Sequence, residues 1–230
     1  MIDWHSHILP GMDDGSRNVA ESIALLKMQA EQGVDTVVAT PHFYANDETV
    51  ASFLKRRRDA FALLKANLPD NAPEIHLGAE VRYYQGISRL VGLKDLKVEG
   101  SPVLLVEMPM SRWSESMVRE LMEISSISGV KLALAHIDRY LRLQSRDVWT
   151  RIYDSDFLIQ VNASFFTAWG TRRKAMSLLT NGCIQMIGSD CHNLTSRPPQ
   201  IGSAFGIIQK KLGSDYLSEM NEYGRGLLVK

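Results

Sequence analysis

The sequence predicts a closed barrel of seven parallel strands wrapped by helices, and three observations predict it. Short apolar runs alternate with helical patterns from end to end, as in a parallel sheet covered by helices. The runs are continuously apolar rather than alternating, as expected of strands buried on both faces. All but one of them ends in polar residues with ligand chemistry. An open doubly wound sheet gathers its site at one switch point, whereas a closed ring brings many strand ends to one mouth.

Strands are expected near 1–6, 35–40, 75–81, 103–108, 131–136, 157–162 and 184–189. Between the first two, Val19, Ile23, Leu26 and Ala30 recur at helical spacing. Asn18 with Glu21 makes a capping box there, and Gly33 stops the helix. Residues 49–67 carry Val50, Phe53, Leu54, Phe61 and Leu64 between charges, and Pro69 ends them. Residues 114–128 and 172–181 repeat the pattern, and 200–223 form a C-terminal helical tail. At 230 residues and 45% hydrophobic content, the chain is read as one domain over 1–230 with a substantial core.

The formal net charge is zero, which argues against a nucleic-acid or anionic-lipid partner. The basic run Lys55-Arg56-Arg57-Arg58 is expected to be a solvated helix face. No stretch reaches the roughly 18 apolar residues of a membrane span. The opening has no leader-like pattern, and Cys183 and Cys191 make no disulfide framework. A soluble cytoplasmic protein is the expectation.

Five of the six histidines fall at strand ends in company with carboxylates. His5 and His7 form a His-x-His pair after the first run, His42 follows the second, and Glu80 closes the third. Glu107, His136, and the pair Asp190 and His192 close later runs. One of Asp13 and Asp14, in the first loop, can reach back over the mouth. His76 lies mid-strand rather than at a strand end and is excluded. Mixed imidazole and carboxylate donors suit manganese, iron or zinc, not calcium. So many ligands suit two or three divalent ions, and ions roughly 3.5–4 Å apart suit phosphoester hydrolysis. Arg139 and Arg197, in loops at the same mouth, have the fork that matches phosphate oxygens.

Cys191 and Arg197 also spell Cys-x5-Arg, the spacing of cysteine-dependent tyrosine phosphatases. That chemistry needs a thiolate cradled by backbone N–H groups. No glycine opens this loop, Pro198-Pro199 removes two donors, and Asp190 would raise the thiol pKa.

Taken in order, the opening Met1-Ile2-Asp3-Trp4-His5-Ser6-His7-Ile8-Leu9-Pro10-Gly11-Met12-Asp13-Asp14-Gly15-Ser16 and the segments Ala39-Thr40-Pro41-His42, Gly78-Ala79-Glu80-Val81, Leu105-Val106-Glu107, Ala135-His136-Ile137-Asp138-Arg139-Tyr140 and Ser189-Asp190-Cys191-His192-Asn193 resemble the bacterial metal-dependent protein-tyrosine phosphatases of the polymerase-and-histidinol-phosphatase superfamily, the CpsB/YwqE type of capsule and exopolysaccharide operons. The resemblance spans nearly the whole chain. It implies a distorted seven-stranded (β/α) barrel with three metals, usually manganese or iron, at the C-terminal strand ends. It would assign His5, His7, Glu80 and Asp190 to the first metal. Glu80, Glu107 and His136 would hold the second, and Asp14, His42 and His192 the third. Arg139 and Arg197 would bind phosphate. The implied substrate is the phosphorylated tyrosine-rich tail of a bacterial tyrosine kinase controlling polysaccharide export. Two residues depart from the pattern: Asp138 stands where glutamate is expected, and Cys191 where a small residue such as alanine is expected.

The expected activity is therefore in-line hydrolysis of a phosphotyrosine monoester without a phosphoenzyme. The rivals are a small-molecule phosphatase, such as one for histidinol phosphate, and a catalytically silent metal-binding regulatory module.

Overall fold

A computed structural model describes residues 1–228; the last two residues of the expected 1–230 domain lie outside the described residues. Nine strands run in the order β1 (Ile2–Ser6), β2 (Thr36–Ala39), β3 (His42–Phe43), β4 (Glu74–Leu77), β5 (Glu80–Arg82), β6 (Val103–Glu107), β7 (Lys131–Leu134), β8 (Leu158–Asn162) and β9 (Met186–Gly188). All pair in parallel. The expected second and third strands are each split in two, so nine segments build a seven-membered ring. The split follows from Pro41 and Gly78, which interrupt the ladder without shifting it. Thr36 pairs with Glu74 below the break and His42 with Glu80 above it, the same offset on both sides. Backbone bonds from Gly78 N to Ala39 O and from Glu80 N to Pro41 O carry the pairing across.

The ring closes between β9 and β1 through a short bridge. Asp190 N donates to His5 O at 2.7 Å and His7 N donates to Cys191 O at 2.9 Å. Gly188 permits this approach, since a Cβ there would lie 2.5 Å from the His5 Cβ. The Asp3 carboxylate staples the seam by accepting from Ser189 N at 2.8 Å.

Ile2, Trp4, Val38, Val103, Leu105, Ala133, Leu158 and Met186 fill the barrel interior, one residue in two along each strand. The other parity, such as Val37, Leu104, Leu132, Ile159 and Ile187, packs outward in the larger core. On β1 the ladder slips by one residue between Asp3 and Ser6. This irregularity lets Trp4 stay in the interior while His5 and His7 turn to the mouth.

The outer layer comprises α1 (Val19–Glu31), α2 (Val50–Lys65), α3 (Glu115–Ser125), α4 (Arg146–Tyr153), α5 (Ser164–Thr167), α6 (Arg172–Thr180), α7 (Ile201–Leu212) and α8 (Ser214–Leu228). Asn18 caps α1 by accepting from Glu21 N. The reciprocal half of the expected capping box is absent, because the Glu21 carboxylate accepts from Arg17 N instead. The expected tail over 200–223 is two helices, α7 and α8, broken at Gly213 (φ 91°). Helix α8 seals the bottom of the barrel with Leu227 and Leu228.

The basic run on α2 is not a solvated face throughout. Arg57 is buried, and its Nη1 donates to Gly78 O at 2.7 Å, occupying a carbonyl at the β4–β5 break. Its Nη2 pairs with Glu99 at 2.9 Å. An unmade bond at this break would leave a buried carbonyl unsatisfied.

Candidate metal centre

At the C-terminal ends of the strands, His5, His7, Glu80, His136, Asp190 and His192 are all buried. Around them stand Glu107, His42 and the exposed Asp14. Every residue singled out as a ligand from the sequence lies at this mouth. His76 sits apart, half-buried on β4, with Nε2 3.3 Å from Glu74.

Hydrogen bonding fixes which ring nitrogens face inward. The Gln160 amide donates through Nε2 to Val161 O and Asn162 Oδ1, so its Oε1 is an acceptor. It takes a bond from His5 Nδ1 at 3.2 Å. His7 Nδ1 lies 2.7 Å from Asp13 Oδ2. In their neutral forms both imidazoles would present Nε2 lone pairs to the same point, 3.1 Å apart. Two lone pairs at that distance repel unless a cation sits between them or a proton is shared. His192 follows the same pattern: Nδ1 lies 3.0 Å from Asp190 O, and Nε2 faces Asp14 at 3.3 Å.

Carboxylates converge on the inward nitrogens. Glu80 Oε2 is 3.2 Å from His5 Nε2, 3.3 Å from His7 Nε2 and 3.0 Å from His42 Nδ1, while its Oε1 is 2.8 Å from His136 Nε2. Asp190 Oδ1 lies 3.7 and 3.6 Å from His5 and His7 Nε2. Glu107 Oε1 is 3.6 Å from His136 Nε2, and Asp14 Oδ1 is 3.5 Å from His42 Nε2. Three donor groups can each close around an ion, with donor atoms within 4.8 Å of one another: His7, Asp14, His42 and His192; His5, His7 and Asp190; His42, Glu80 and Glu107. This grouping differs from the sets implied by the resemblance: it shares His7 and His42, places Glu80 in one group only and leaves His136 out.

Electrostatics match a cation site. Burial alone would lower the His7 pKa, but Asp13 and Glu80 outweigh it and raise it to about 10. His5 is likewise raised by Glu80 and Asp190 against its burial. Glu80, despite burial, is held well below its ordinary range by His5 and by bonds from His136 and His42. Asp190 is lowered by His5, His7 and Arg139. Burial and the His7 charge push His192 down to about 4. Protons on His5 and His7 thus neutralise the carboxylates, and a metal ion entering would displace them. Two of the candidate ligand positions also carry non-glycine left-handed backbone, His136 (φ 32°) and Asp190 (φ 53°). Such conformations persist where the surrounding structure over-determines them.

Arg139 and Arg197 both reach Asp190, Arg139 through a short ion pair to Oδ2 and Arg197 at 2.8 Å from Oδ1. Each is about one-third exposed, so each guanidinium keeps an open side at the mouth.

Supporting residues to which the sequence reading gave no such role complete the arrangement. Asp13 orients His7 and also accepts from His42 N at 2.9 Å. Gln160 and Asn162 come from β8, the strand given no role: Gln160 accepts from His136 N at 2.5 Å, and Asn162 Nδ2 donates to Asp190 Oδ2 at 2.9 Å. Arg82 pairs with Glu107 at 2.7 Å. The signal for β8 was present, since Gln160 and Asn162 are polar residues inside an apolar run. Asp138 accepts from Asn162 N at 3.0 Å and so braces the same strand.

The Cys-x5-Arg segment is not a thiolate cradle. Asn193 Oδ1 accepts from Thr195 N, Ser196 N and Arg197 N, so these amides point away from Cys191. The thiol is buried, and its pKa is pushed up by burial and by Asp3.

Comparison with known proteins agrees with this architecture. The chain is 31% identical to the tyrosine-protein phosphatase CpsB of Streptococcus pneumoniae over 236 residues, covering 96% of this chain and 94% of that protein. It is 27% identical to the tyrosine-protein phosphatase YwqE of Bacillus subtilis strain 168, covering 99% and 91%. Among solved structures, one from a study of YwqE from Bacillus subtilis and CpsB from Streptococcus pneumoniae, described as unique metal-dependent tyrosine phosphatases, matches with a TM-score of 0.81 at 22% identity, over 99% of this chain and 94% of that one. The phosphotriesterase homology protein from Escherichia coli matches at 0.57 and 12% identity, over 99% and 98%. These two likenesses establish the barrel fold. The family model for capsular polysaccharide synthesis, CpsB/CapC, matches residues 1–224, and the chain belongs to that family.

Proposed function

We propose that the chain is a metal-dependent tyrosine-protein phosphatase acting on a phosphorylated bacterial tyrosine kinase in capsule or exopolysaccharide synthesis. The observation that carries the reading is the pair of inward Nε2 atoms of His5 and His7, 3.1 Å apart among ionised carboxylates, in a chain whose relatives are tyrosine-protein phosphatases. In this reading His5, His7, Glu80 and Asp190 hold one ion, Glu80, Glu107 and His136 a second, and Asp14, His42 and His192 a third. Two or three divalent ions, manganese first and iron or zinc next, fit this nitrogen and oxygen set. When bound, they supply an acidified water and positive charge that polarises the phosphoryl group.

The protein's own groups do the rest. Gln160 and Asp13 hold the His5 and His7 tautomers, and Arg82 holds the outer oxygen of Glu107. Arg139 and Arg197 turn their open sides to the phosphate and stabilise its charge as the ester bond breaks. Tyrosinate leaves readily, since phenol pKa is about 10. No helix among the described residues is long and apolar enough to cross a membrane, and we place the protein in the cytoplasm with its kinase partner.

A substrate panel tests this reading. The metal-loaded chain should prefer phosphotyrosine peptides to phosphoserine peptides and histidinol phosphate. Arg139→Ala and Arg197→Ala should each cost about 1.5–3 kcal/mol of turnover, roughly ten- to hundredfold, at unchanged metal content. A kcat/KM for histidinol phosphate above that for every phosphotyrosine peptide would transfer the assignment to a small-molecule phosphatase.

A further inference from the structure

Two cavities adjoin the mouth on one side and share a wall. The inner one, about 440 Å³, is lined by Asp14, His42, Tyr44 and Arg56. The outer one, about 750 Å³, is lined by Val50, Leu54, Leu90, Val91 and Asp95. Asp47 and Glu48 line both. Side by side, with Asp47 and Glu48 between them, the two form a trough-like recess from two of the proposed metal ligands outward, between the start of α2 and residues 90–95. Its volume is on the scale of a binding site for a ligand larger than a phosphate.

The trough is a built feature. Arg56 Nη2 holds Glu48 Oε1 at 2.6 Å while its Nη1 donates to Met12 O at 3.3 Å. One side chain thus clamps the loop after β3 to the loop after β1. At the inner end, Tyr44 is 38% exposed and tilts against His42 with ring centroids 5.3 Å apart. At the outer end, Val91 is 90% exposed beside the half-buried Leu54 and Leu90. Together the three make a small apolar patch at the cavity lip, and a contiguous patch marks a contact surface where a lone exposed residue does not. Asp47 and Asp95 are exposed, and neither meets a cationic group within 4.0 Å among the described residues, unlike Glu48.

We infer that this trough receives the peptide on one side of the phosphotyrosine. The substrate ring packs on Tyr44, an aliphatic residue lies on Val50, Leu54, Leu90 and Val91, and a lysine or arginine reaches Asp47 and Asp95. The inference rests on the phosphatase reading and adds a substrate preference to it: a basic, aliphatic flank over an acidic one. A small phosphoester would leave the trough empty.

The test uses the full metal-loaded chain and labelled peptides in which tyrosine carries a non-hydrolysable difluorophosphonate. One peptide has a leucine and lysine flank, the other a glycine and glutamate flank, and para-nitrophenyl phosphate turnover is measured alongside. The wild type should bind the lysine peptide about five- to tenfold more tightly, the scale of two partly exposed ion pairs. The double variant Asp47→Lys with Asp95→Lys should reverse that order and leave para-nitrophenyl phosphate turnover unchanged. Such a reversal cannot come from partial unfolding. Equal binding of both peptides by the wild type, or an order unaltered in the double variant, would overturn the inference. Failure of the phosphatase reading shows separately, as absent para-nitrophenyl phosphate turnover, and the peptide order still decides the trough.

Discussion

The two ends of the barrel are built on opposite principles from the same strands. At the bottom, Ile2, Trp4, Leu158 and Met186 meet Leu227 and Leu228 of α8 in an apolar cluster. At the mouth, β1, β7 and β9 lead into His5 and His7, His136, and Asp190. Two of these residues have left-handed backbone, and His136 Nδ1 is buried without a hydrogen-bond partner. The bottom gains stability from burial. The mouth gives some of it up in polar desolvation and backbone strain. A fold accepts that cost where a ligand or a reaction repays it, and the difference locates function at the mouth without reference to any relative.

That contrast can be broken by substitution at either end. His136→Gly suits the left-handed backbone and removes only the imidazole. Activity should fall by at least about a hundredfold, the upper range for disturbing a metal shell, while chelator-treated protein changes in stability by no more than about 1 kcal/mol. A large loss of stability would mean that the mouth is structural. At the bottom, Trp4→Ala should cost about 3–5 kcal/mol in denaturant unfolding, with the folded fraction keeping its activity per molecule. Inactive but stable protein would contradict the separation of roles.

The smallest effect is expected at Cys191, where the two principles meet: a buried, protonated thiol next to two proposed ligands. Cys191→Ala should cost about 1 kcal/mol of stability and retain most of the turnover. A phosphocysteine trapped in the wild type, or an inactive metal-loaded Cys191→Ser protein, would restore the Cys-x5-Arg reading.

Much of this was legible in the sequence, and the gaps have physical causes. Continuous apolar runs ending in ligands give the closed ring, because run length and strand-end chemistry are local signals. Splitting of the second and third strands was hidden, since Pro41 and Gly78 alter hydrogen bonding without altering apolar pattern or register. Arg57 was misread because charge alone does not reveal an unpaired carbonyl across the fold at Gly78. The convergence of the candidate ligands was legible through their positions. Their supports were not: Gln160, Asn162 and Asp13 act through amide orientation and hydrogen bonds that exist only once the strands are assembled.

The central claim is that the His5–His7–Glu80–Asp190 cluster is a cation site on which turnover depends. The most direct measurement is metal content by elemental analysis alongside phosphotyrosine-peptide turnover, through chelation and stepwise Mn²⁺ return. Two or three ions per chain should restore activity from none, with rebinding stronger as pH rises because His5 and His7 must release protons. Full turnover in chelator, with elemental analysis finding no metal, would contradict the account.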